Sequence, residues 1–414
     1  MYKTRREKLL ASLPDNSITV LFSGQAPYAV GDEKYRFEVD RSFYYFTGLD
    51  RESLALLLVK RGDNTRETLY IQPYDELSAK WVGGRIRAEE ARDISAVEDV
   101  RDVSALEDDV ASLLISYGGA SEMILCGDLS RQELAQPRPA VAFFSRIREH
   151  MPDILFQNIY ADIVRLRTCK SEEEVLKLRR AIEVTRTGIE TMMSYCHEGI
   201  WENELEAYFD FTLKCNHCGH AFDTICATGR NATILHYTDN NKRAMPGDLV
   251  LCDLGARYQY YNADITRTFP VSGKFTERQK VLYDIVLRGN RMIAAQARPG
   301  VTTRWLNEQL LAFYEAELKK IGLLENGKTV RDYYWHSVSH YIGLETHDAT
   351  LPDLPLQVGS VISDEPGLYL EEEGIGIRIE DDLLIVEGGC EVLSRDIIKE
   401  IDEIETFMAG NKDF

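Results

Sequence analysis

No stretch of the chain approaches the roughly 18–20 consecutive apolar residues that a membrane-spanning helix needs, although 44% of its 414 residues are hydrophobic. Positive charge is also scarce: 48 basic against 68 acidic residues leave a formal net charge of −20. A nucleic-acid binder needs a basic face to displace counterions, so nucleic acid is not an expected partner. A strongly acidic surface is likewise repelled by anionic membranes. Low-complexity segments are lacking. Cysteine is sparse and scattered, with eight residues at 126, 169, 196, 215, 218, 226, 252 and 390, which argues against a disulfide framework. Cys215-Asn-His-Cys218 is a single C-x-x-C with no second pair at finger spacing. It reads as the end of an apolar helix stopped by Gly219 more readily than as a zinc site. The N-terminal stretch Met1–Leu10 is basic, but Pro14, Asp15 and Asn16 follow where a signal peptide would place its apolar run. It reads as an amphipathic helix of a cytosolic protein.

The length suffices for two domains, each with a full core. In the first part, Ile18–Phe22, Phe43–Phe46, Ser53–Val59, Thr68–Ile71, Met123–Cys126 and Ile154–Phe156 read as strands, and 74–114 is acidic and mostly helical in pattern. Such alternation points to a small α/β domain with its sheet covered on both faces. A break near Leu166-Arg-Thr-Cys-Lys-Ser171 sets the expected domains at 1–167 and 168–414. Ser171 and Glu174 have the form of a capping box. Behind it, Val175, Leu176, Leu178, Ile182 and Ile189 recur at roughly helical spacing. A second helix is expected through Leu205, Tyr208, Phe209, Thr212 and Leu213. Strands are expected at 233–237, 248–256 and 265–269, helices again at 278–297 and 305–321, and closing strands through Val361, Tyr369, Ile375–Ile379 and Leu383–Val386. The order helix, helix, strands therefore occurs twice.

Within this second half, four carboxylates and one imidazole sit in apolar or Gly/Pro-rich runs. They are Asp253 in Leu249-Val-Leu-Cys-Asp-Leu-Gly255, Asp264 in Asn262-Ala-Asp-Ile-Thr-Arg-Thr268, His340 closing His336-Ser-Val-Ser-His340, Glu365 in Val361-Ile-Ser-Asp-Glu-Pro-Gly367, and Glu380 in Gly374-Ile-Gly-Ile-Arg-Ile-Glu380. A carboxylate inside an apolar strand is costly unless it is paired or bound to a cation. Several in one domain point to a shared cation site. The segments bearing Asp253 and Asp264 read as an antiparallel pair, so the two aspartates are expected to meet across a ladder. The strand period places Gly376, Arg378 and Glu380 on one face, from which Arg378 can neutralise and orient a ligand carboxylate. This donor set suits a pair of divalent ions, Mn²⁺ first, with Co²⁺, Fe²⁺ or Zn²⁺ as competitors. A zincin reading of His336-x-x-x-His340 fails because position 337 is Ser, not the Glu that would act as base.

The five residues, in this order and in these motifs, resemble the metal ligands of the pita-bread metallopeptidases, specifically the aminopeptidase P and prolidase group. The resemblance extends to the N-terminal half through Arg5-Arg-Glu-Lys-Leu9, Phe37-Glu-Val-Asp-Arg-Ser-Phe-Tyr-Tyr-Phe-Thr-Gly-Leu49 and Trp81-Val-Gly-Gly-Arg85. It implies an α/β (α+β) protein: a small mixed α/β N-terminal domain followed by a pita-bread catalytic domain. It assigns Asp253 to one ion, His340 and Glu365 to the other, and Asp264 and Glu380 to both. Glu365 is implied as proton acceptor and relay for an attacking hydroxide shared by the ions. His236 in Ile234-Leu-His-Tyr237 and His347 in Gly343-Leu-Glu-Thr-His-Asp348 are implied at the oxyanion or substrate carbonyl, and His336 at the proline pocket. Arg378 and Tyr369 are expected around the ligands. Asp40 would help hold the substrate's free α-amine and Trp81 would line the mouth; a turn residue and plain packing are the competing readings. Two departures bear on substrate preference: Ser337-Val338 stands where Gly-Leu or Gly-Val is common, and Phe222 where Tyr is common.

The implied activity is hydrolysis of the bond between an N-terminal residue and a following proline, by a cytoplasmic homodimer or homotetramer. Prolidase, which cleaves only the Xaa-Pro dipeptide, is the alternative. A pita-bread binding module that has lost its ligands is more remote, and creatinase, which needs no metal, lacks this ligand set.

Overall fold

The computed structural model describes residues 1–116, 123–129 and 138–410. The chain forms two compact units, Met1–Arg167 and Thr168–Phe414. Among the described residues, no helix is long and apolar enough to cross a membrane.

The first unit is built on a six-stranded mixed sheet. Its strands are β1 (Ser17–Phe22), β2 (Ala55–Arg61), β3 (Asn64–Ile71), β4 (Asp99–Asp102), β5 (Ile124–Gly127) and β6 (Leu155–Asn158), in the order β4-β3-β2-β1-β5-β6. The central strands are buried nearly end to end because helices cover both faces. Ile18, Val20, Ala55, Leu57 and Val59 point to one face, against Val110 and Leu114 of the helix Leu106–Ser116 and Phe143, Phe144 and Ile147 of the helix Pro139–His150. On the helix Tyr2–Ser12, Arg6 is fully buried and donates to Phe46 O and Ser95 O at 2.9 and 2.8 Å.

One sequence expectation fails here. Phe43–Phe46 lies not in a strand but in the helix Arg41–Thr47. Asp40 Oδ1 accepts from the backbone N–H groups of Ser42 and Phe43, and Gly48 ends the helix at φ 70°. The cap and the left-handed stop override the strand preference of an aromatic run. The stretch 74–114 is mostly helical, as expected, and includes the short strand β4, whose backbone is satisfied by parallel pairing with β3.

The second unit repeats one theme. The helices Glu172–Tyr195 and Glu202–Cys215 precede the antiparallel sheet of β7 (Ile225–Thr228), β8 (Leu249–Leu254) and β9 (Ile265–Pro270). The helices Glu277–Gln296 and Thr303–Lys320 precede β10 (Val361–Asp364), the ribbon of β11 (Gly367–Leu370) and β12 (Ile375–Arg378), β13 (Asp381–Val386) and β14 (Gly389–Val392). The first helix starts at the Ser171/Glu174 capping box, where Ser171 N–H donates to Glu174 Oε2 at 3.0 Å. The second helix stops at Cys215, before Gly219, with His217 taking the left-handed turn at φ 55° and Cys218 N–H reaching back to Leu213 O at 2.9 Å. All eight cysteines are free, and no metal-holding group among the described residues includes Cys215 or Cys218. The segment 233–237, expected as a strand, is an irregular loop that follows a 3₁₀ turn at Gly229–Thr233.

Two glycines allow the close approaches on which the site depends. A Cβ on Gly255 would lie 1.8 Å from Ala263 O, and one on Gly376 would lie 2.0 Å from Ala232 O. Any side chain at either position would push apart segments that carry ligand candidates.

Candidate metal centre

Asp253 is the penultimate residue of β8, opposite Thr266 of β9. Asp264 directly precedes β9, so the aspartates are not directly opposed; they sit diagonally, two residues apart in register, on one face. The chain turns back between them through a narrow ribbon, Ala256–Tyr258 with Tyr261–Asn262, whose tip residues Gln259 and Tyr260 have φ of 49° and 67°. Glu365 follows β10 directly, and Glu380 falls between β12 and β13. Glu380 N–H donates to Thr266 O at 3.0 Å, which fixes its segment beside β9. His340 is placed by its N–H, which donates to Ser363 Oγ at 2.9 Å.

These elements bring ligand atoms of Asp264, His340 and Glu380 within 4.8 Å of one another. His340 Nε2 lies 3.3 Å from Asp264 Oδ2 and 3.4 Å from Glu365 Oε1. Its Nδ1 faces Tyr341 O at 3.2 Å, so Nε2 is the nitrogen turned to the carboxylates. Asp253, Asp264 and Glu380 are 9%, 4% and 1% exposed. Asp253 Oδ1 and Glu380 Oε1 are buried without a hydrogen-bond partner. Orphaned carboxylate oxygens aimed into a cluster of acids are costly on their own and are what divalent cations bind. The residues present therefore fit a metal centre.

The electrostatics point the same way. Burial, opposed by Arg378 and reinforced by Asp264, lifts Asp253 to about 6. Burial, with the carboxylates of Asp264 and Asp253 working against His340 and Arg378, lifts Glu365 to about 7. Glu380 is pushed well above the usual carboxylate range by burial and its acidic neighbours. His340 is lowered by burial, but its hydrogen bond to Asp264 and the Glu365 charge outweigh this and raise it to about 9. Asp253, Glu365 and Glu380 thus resist ionising together until cationic charge is shared among them.

The surrounding shell is ordered. Arg378 Nη2 donates to Asp253 Oδ2 at 2.7 Å, Nη1 to the Tyr369 hydroxyl at 2.8 Å, and Nε to Thr266 Oγ1 at 3.0 Å. Thr266 Oγ1 in turn donates to Glu380 Oε2 at 2.7 Å, and Ser363 Oγ to Glu365 Oε1 at 3.2 Å. The Tyr369 hydroxyl lies 2.9 Å from His336 Nε2, and His336 Nδ1 lies 2.7 Å from Ser337 O. With Arg378 donating to the tyrosine oxygen, the tyrosine proton goes to His336 Nε2 and the ring proton sits on Nδ1. Burial and the Arg378 charge hold His336 down at about 3, so it is neutral at physiological pH. His347 stacks edge-on against His340 with ring centroids 4.2 Å apart, and partial burial and the His340 charge push it down. His236 is exposed on its loop, and its charge bears on both His336 and His347.

Two residues expected at the site lie in the other unit. Asp40 caps its helix with Oδ1 and pairs through Oδ2 with Arg138 Nη2 at 2.9 Å. Trp81 is 82% exposed on the short helix Glu76–Val82.

The sequence reading missed a layer behind the ligands. Asp381, next to Glu380, accepts from Arg267 Nη2 at 2.8 Å and Ser394 Oγ at 2.6 Å and pairs with Lys399. Despite burial, Arg267 and Lys399 hold it far below the usual range. Arg267 Nη1 also donates to Glu380 O at 2.6 Å. Asp382 Oδ2 accepts from Asp264 N–H at 3.3 Å. A signal was available: Asp364, Asp381 and Asp382 are further acids in apolar runs, each one or two residues from a proposed ligand.

Comparisons with known proteins agree with this geometry. The sequence matches Metallopeptidase family M24 over residues 176–387 and the aminopeptidase P N-terminal domain over residues 2–120. It is 30% identical to the Xaa-Pro aminopeptidase of Haemophilus influenzae, an alignment that covers 98% of this chain and 96% of that one. A candidate aminopeptidase P structure from Bacillus anthracis superposes with a TM-score of 0.96 at 42% identity, covering 100% of this chain and 98% of the other. The Escherichia coli aminopeptidase P bound to the inhibitor Pro-Leu superposes with a TM-score of 0.90 at 29% identity, with the same coverage.

Proposed function

The chain belongs to metallopeptidase family M24, and from that premise we propose that it is a metal-dependent aminopeptidase releasing the N-terminal residue from peptides with proline in second position. The observation that carries this is the grouping of Asp264, His340 and Glu380, with Glu365 Oε1 3.4 Å from His340 and with one buried carboxylate oxygen each on Asp253 and Glu380 left without a hydrogen-bond partner. Relatives of the same length and architecture bear that activity in their names.

Asp253 would hold one divalent ion, His340 and Glu365 a second, with Asp264 and Glu380 shared between them and Mn²⁺ the first choice. Such a pair, when bound, supplies Lewis acidity and an activated water. The chain's own residues do the rest. Glu365 would take a proton from the attacking water and return it to the departing proline nitrogen, which must leave as a secondary amine. His236 and His347 would face the substrate carbonyl and stabilise the oxyanion, a task suited to rings that can donate from either nitrogen. His336 has both nitrogens engaged, so it shapes the wall and anchors Tyr369 and does not move protons. Arg378 keeps Asp253 ionised and oriented. We also assign the first unit, 1–167, the gating of substrate, with Asp40 and Trp81 as its candidate contacts, and the working form as a cytoplasmic homodimer or homotetramer. Light scattering reporting a monomer would remove the last point.

The test is hydrolysis of an Xaa-Pro-Xaa tripeptide and an Xaa-Pro dipeptide by metal-stripped protein with and without Mn²⁺. Cleavage of the tripeptide restored by Mn²⁺, with the dipeptide slower, is expected. A dipeptide preference would make it a prolidase, and no cleavage with any divalent ion would defeat the assignment.

A further inference from the structure

Glu202 is fully buried at the start of its helix, remote in sequence from every ligand candidate, and its carboxylate is given over to one loop. Oε1 accepts from Thr228 N–H at 2.7 Å, Thr228 Oγ1 at 2.7 Å and Asn231 Nδ2 at 3.0 Å. Oε2 accepts from the Tyr237 hydroxyl at 2.7 Å and Lys242 N–H at 2.9 Å. The backbone N–H of Glu202 returns the contact by donating to Lys242 O at 2.9 Å. Thr228 and Asn231 belong to the leg entering the loop, and Tyr237 and Lys242 to the leg leaving it. One carboxylate oxygen holds each leg, and His236 is carried between them.

The rest of the loop is pinned at both sides of that clamp. Its entering leg packs against β12, where only a glycine at 376 lets Ala232 O approach. Its leaving leg is fixed by Asn240, in the left-handed conformation at φ 42°, which donates to Glu206 Oε2 and Thr224 O at 2.9 Å each and accepts from Cys226 N–H at 3.1 Å. The span between the legs, and with it the position of the His236 backbone, is therefore set by the width of one carboxylate group. We propose that Glu202 is a positioning residue for His236, holding its imidazole where the substrate carbonyl arrives. This rests on the reading of His236 given above. None of the five groups that Glu202 accepts from belongs to a ligand candidate, so the effect is not on metal binding.

A carboxylate is needed because every group facing it is a donor. The amide of a glutamine would turn its NH₂ toward one leg or the other and leave that leg's donors without an acceptor. The negative charge is also supported by the helix N-terminus at which it sits.

The experiment uses the full-length, Mn²⁺-loaded protein and steady-state cleavage of an Xaa-Pro-Xaa tripeptide by Glu202→Gln, Tyr237→Phe, His236→Ala and the Glu202→Gln/His236→Ala double variant. Glu202→Gln is expected to lower kcat about 10- to 100-fold, the scale of a misplacement of about 1 Å, with KM and bound metal unchanged. Tyr237→Phe deletes one of the two donors on Oε2 and is expected to lower kcat by a smaller factor, which keeps the test open should the first variant fold poorly. In the His236→Ala background the Glu202→Gln loss should shrink to less than about threefold, as expected for residues acting as one unit. Losses that multiply in the double variant, or that appear in KM or metal content, would overturn the proposal while leaving His236 in place. Full activity of His236→Ala alone would overturn the assignment of His236, and the proposal with it.

Discussion

Replacing Arg378 with methionine would isolate what holds the metal centre open. The side chain is 3% exposed and its three nitrogens bind Asp253, Tyr369 and Thr266. Methionine roughly keeps the volume and removes the charge. Asp253 then becomes a buried carboxylate with Oδ2 unpaired, in addition to Oδ1, and with Asp264 still beside it. Breaking a buried pair from one side costs about 3–5 kcal/mol. For a unit the size of Thr168–Phe414, each kcal/mol moves the melting temperature by about 2–4 °C. The metal-stripped variant should therefore melt about 6–20 °C below the wild type. A bound cation replaces part of the missing charge, so the difference should narrow when Mn²⁺ is added. Metal affinity should itself fall about 10- to 100-fold, as for loss of other partners of metal ligands. The assay is thermal unfolding followed by circular dichroism, with and without Mn²⁺, together with a metal titration. Arg378→Lys keeps the charge but not the fork, so it should recover stability better than affinity. A stripped variant that melts with the wild type and binds Mn²⁺ equally well would refute the argument.

Three further outcomes are expected. Between pH 6.5 and 9 the metal-stripped protein should lose stability as pH rises. His340 is raised to about 9, so its contribution is complete below its ordinary value and disappears as pH climbs through 9. Glu365, raised to about 7, adds a loss of the same sign at the lower edge, whereas His336 and His347, held low, oppose it only near pH 6.5, where the unfolded imidazoles are still partly protonated; a melting temperature that is flat or rises between pH 7.5 and 9 would contradict it. Glu365→Gln should lower kcat about 10²- to 10⁴-fold, the range for loss of a proton-transfer group, and elemental analysis must separate this from lost metal; near-normal turnover by the metal-loaded variant would remove Glu365 from its role. Lys170→Met should cost about 3–5 kcal/mol because Lys170 and Asp348, 2.9 Å apart and each 1% exposed, form a buried pair beside His347; denaturant unfolding checks this, and a double replacement with Asp348→Leu should recover part of the loss.

Much of the centre was legible in the chain because its chemistry is local. An acid in an apolar strand announces itself, and Asp253, Asp264, Glu365 and Glu380 did so within their own runs. Their placement was less legible. The aspartates were expected to meet across a ladder, and the two-residue tip at Gln259–Tyr260 sets the register that makes the meeting diagonal. The aromatic run 43–46 became a helix because Asp40 and Gly48 supply a cap and a stop. The segment around His236, expected as a strand, is instead a loop held at its flanks by Glu202, which accepts from Thr228 N–H before it, Lys242 N–H after it and the Tyr237 hydroxyl.

By itself the sequence determined the composition class, the absence of a long apolar span, the repeated helix-helix-strand order and the donor set, since each depends on residue type and short spacing. Tertiary structure alone decided which carboxylate oxygens stay unpaired, which nitrogen of His340 faces them, and how Arg378, Thr266, Asp381 and Arg267 back them. The contacts of Arg378, Thr266 and Arg267 join residues more than a hundred positions apart. Such contacts arise only when the separate sheets of the second unit pack together, and burial then turns ordinary side chains such as Asp264, His340 and Glu380 into a group that could hold a cation.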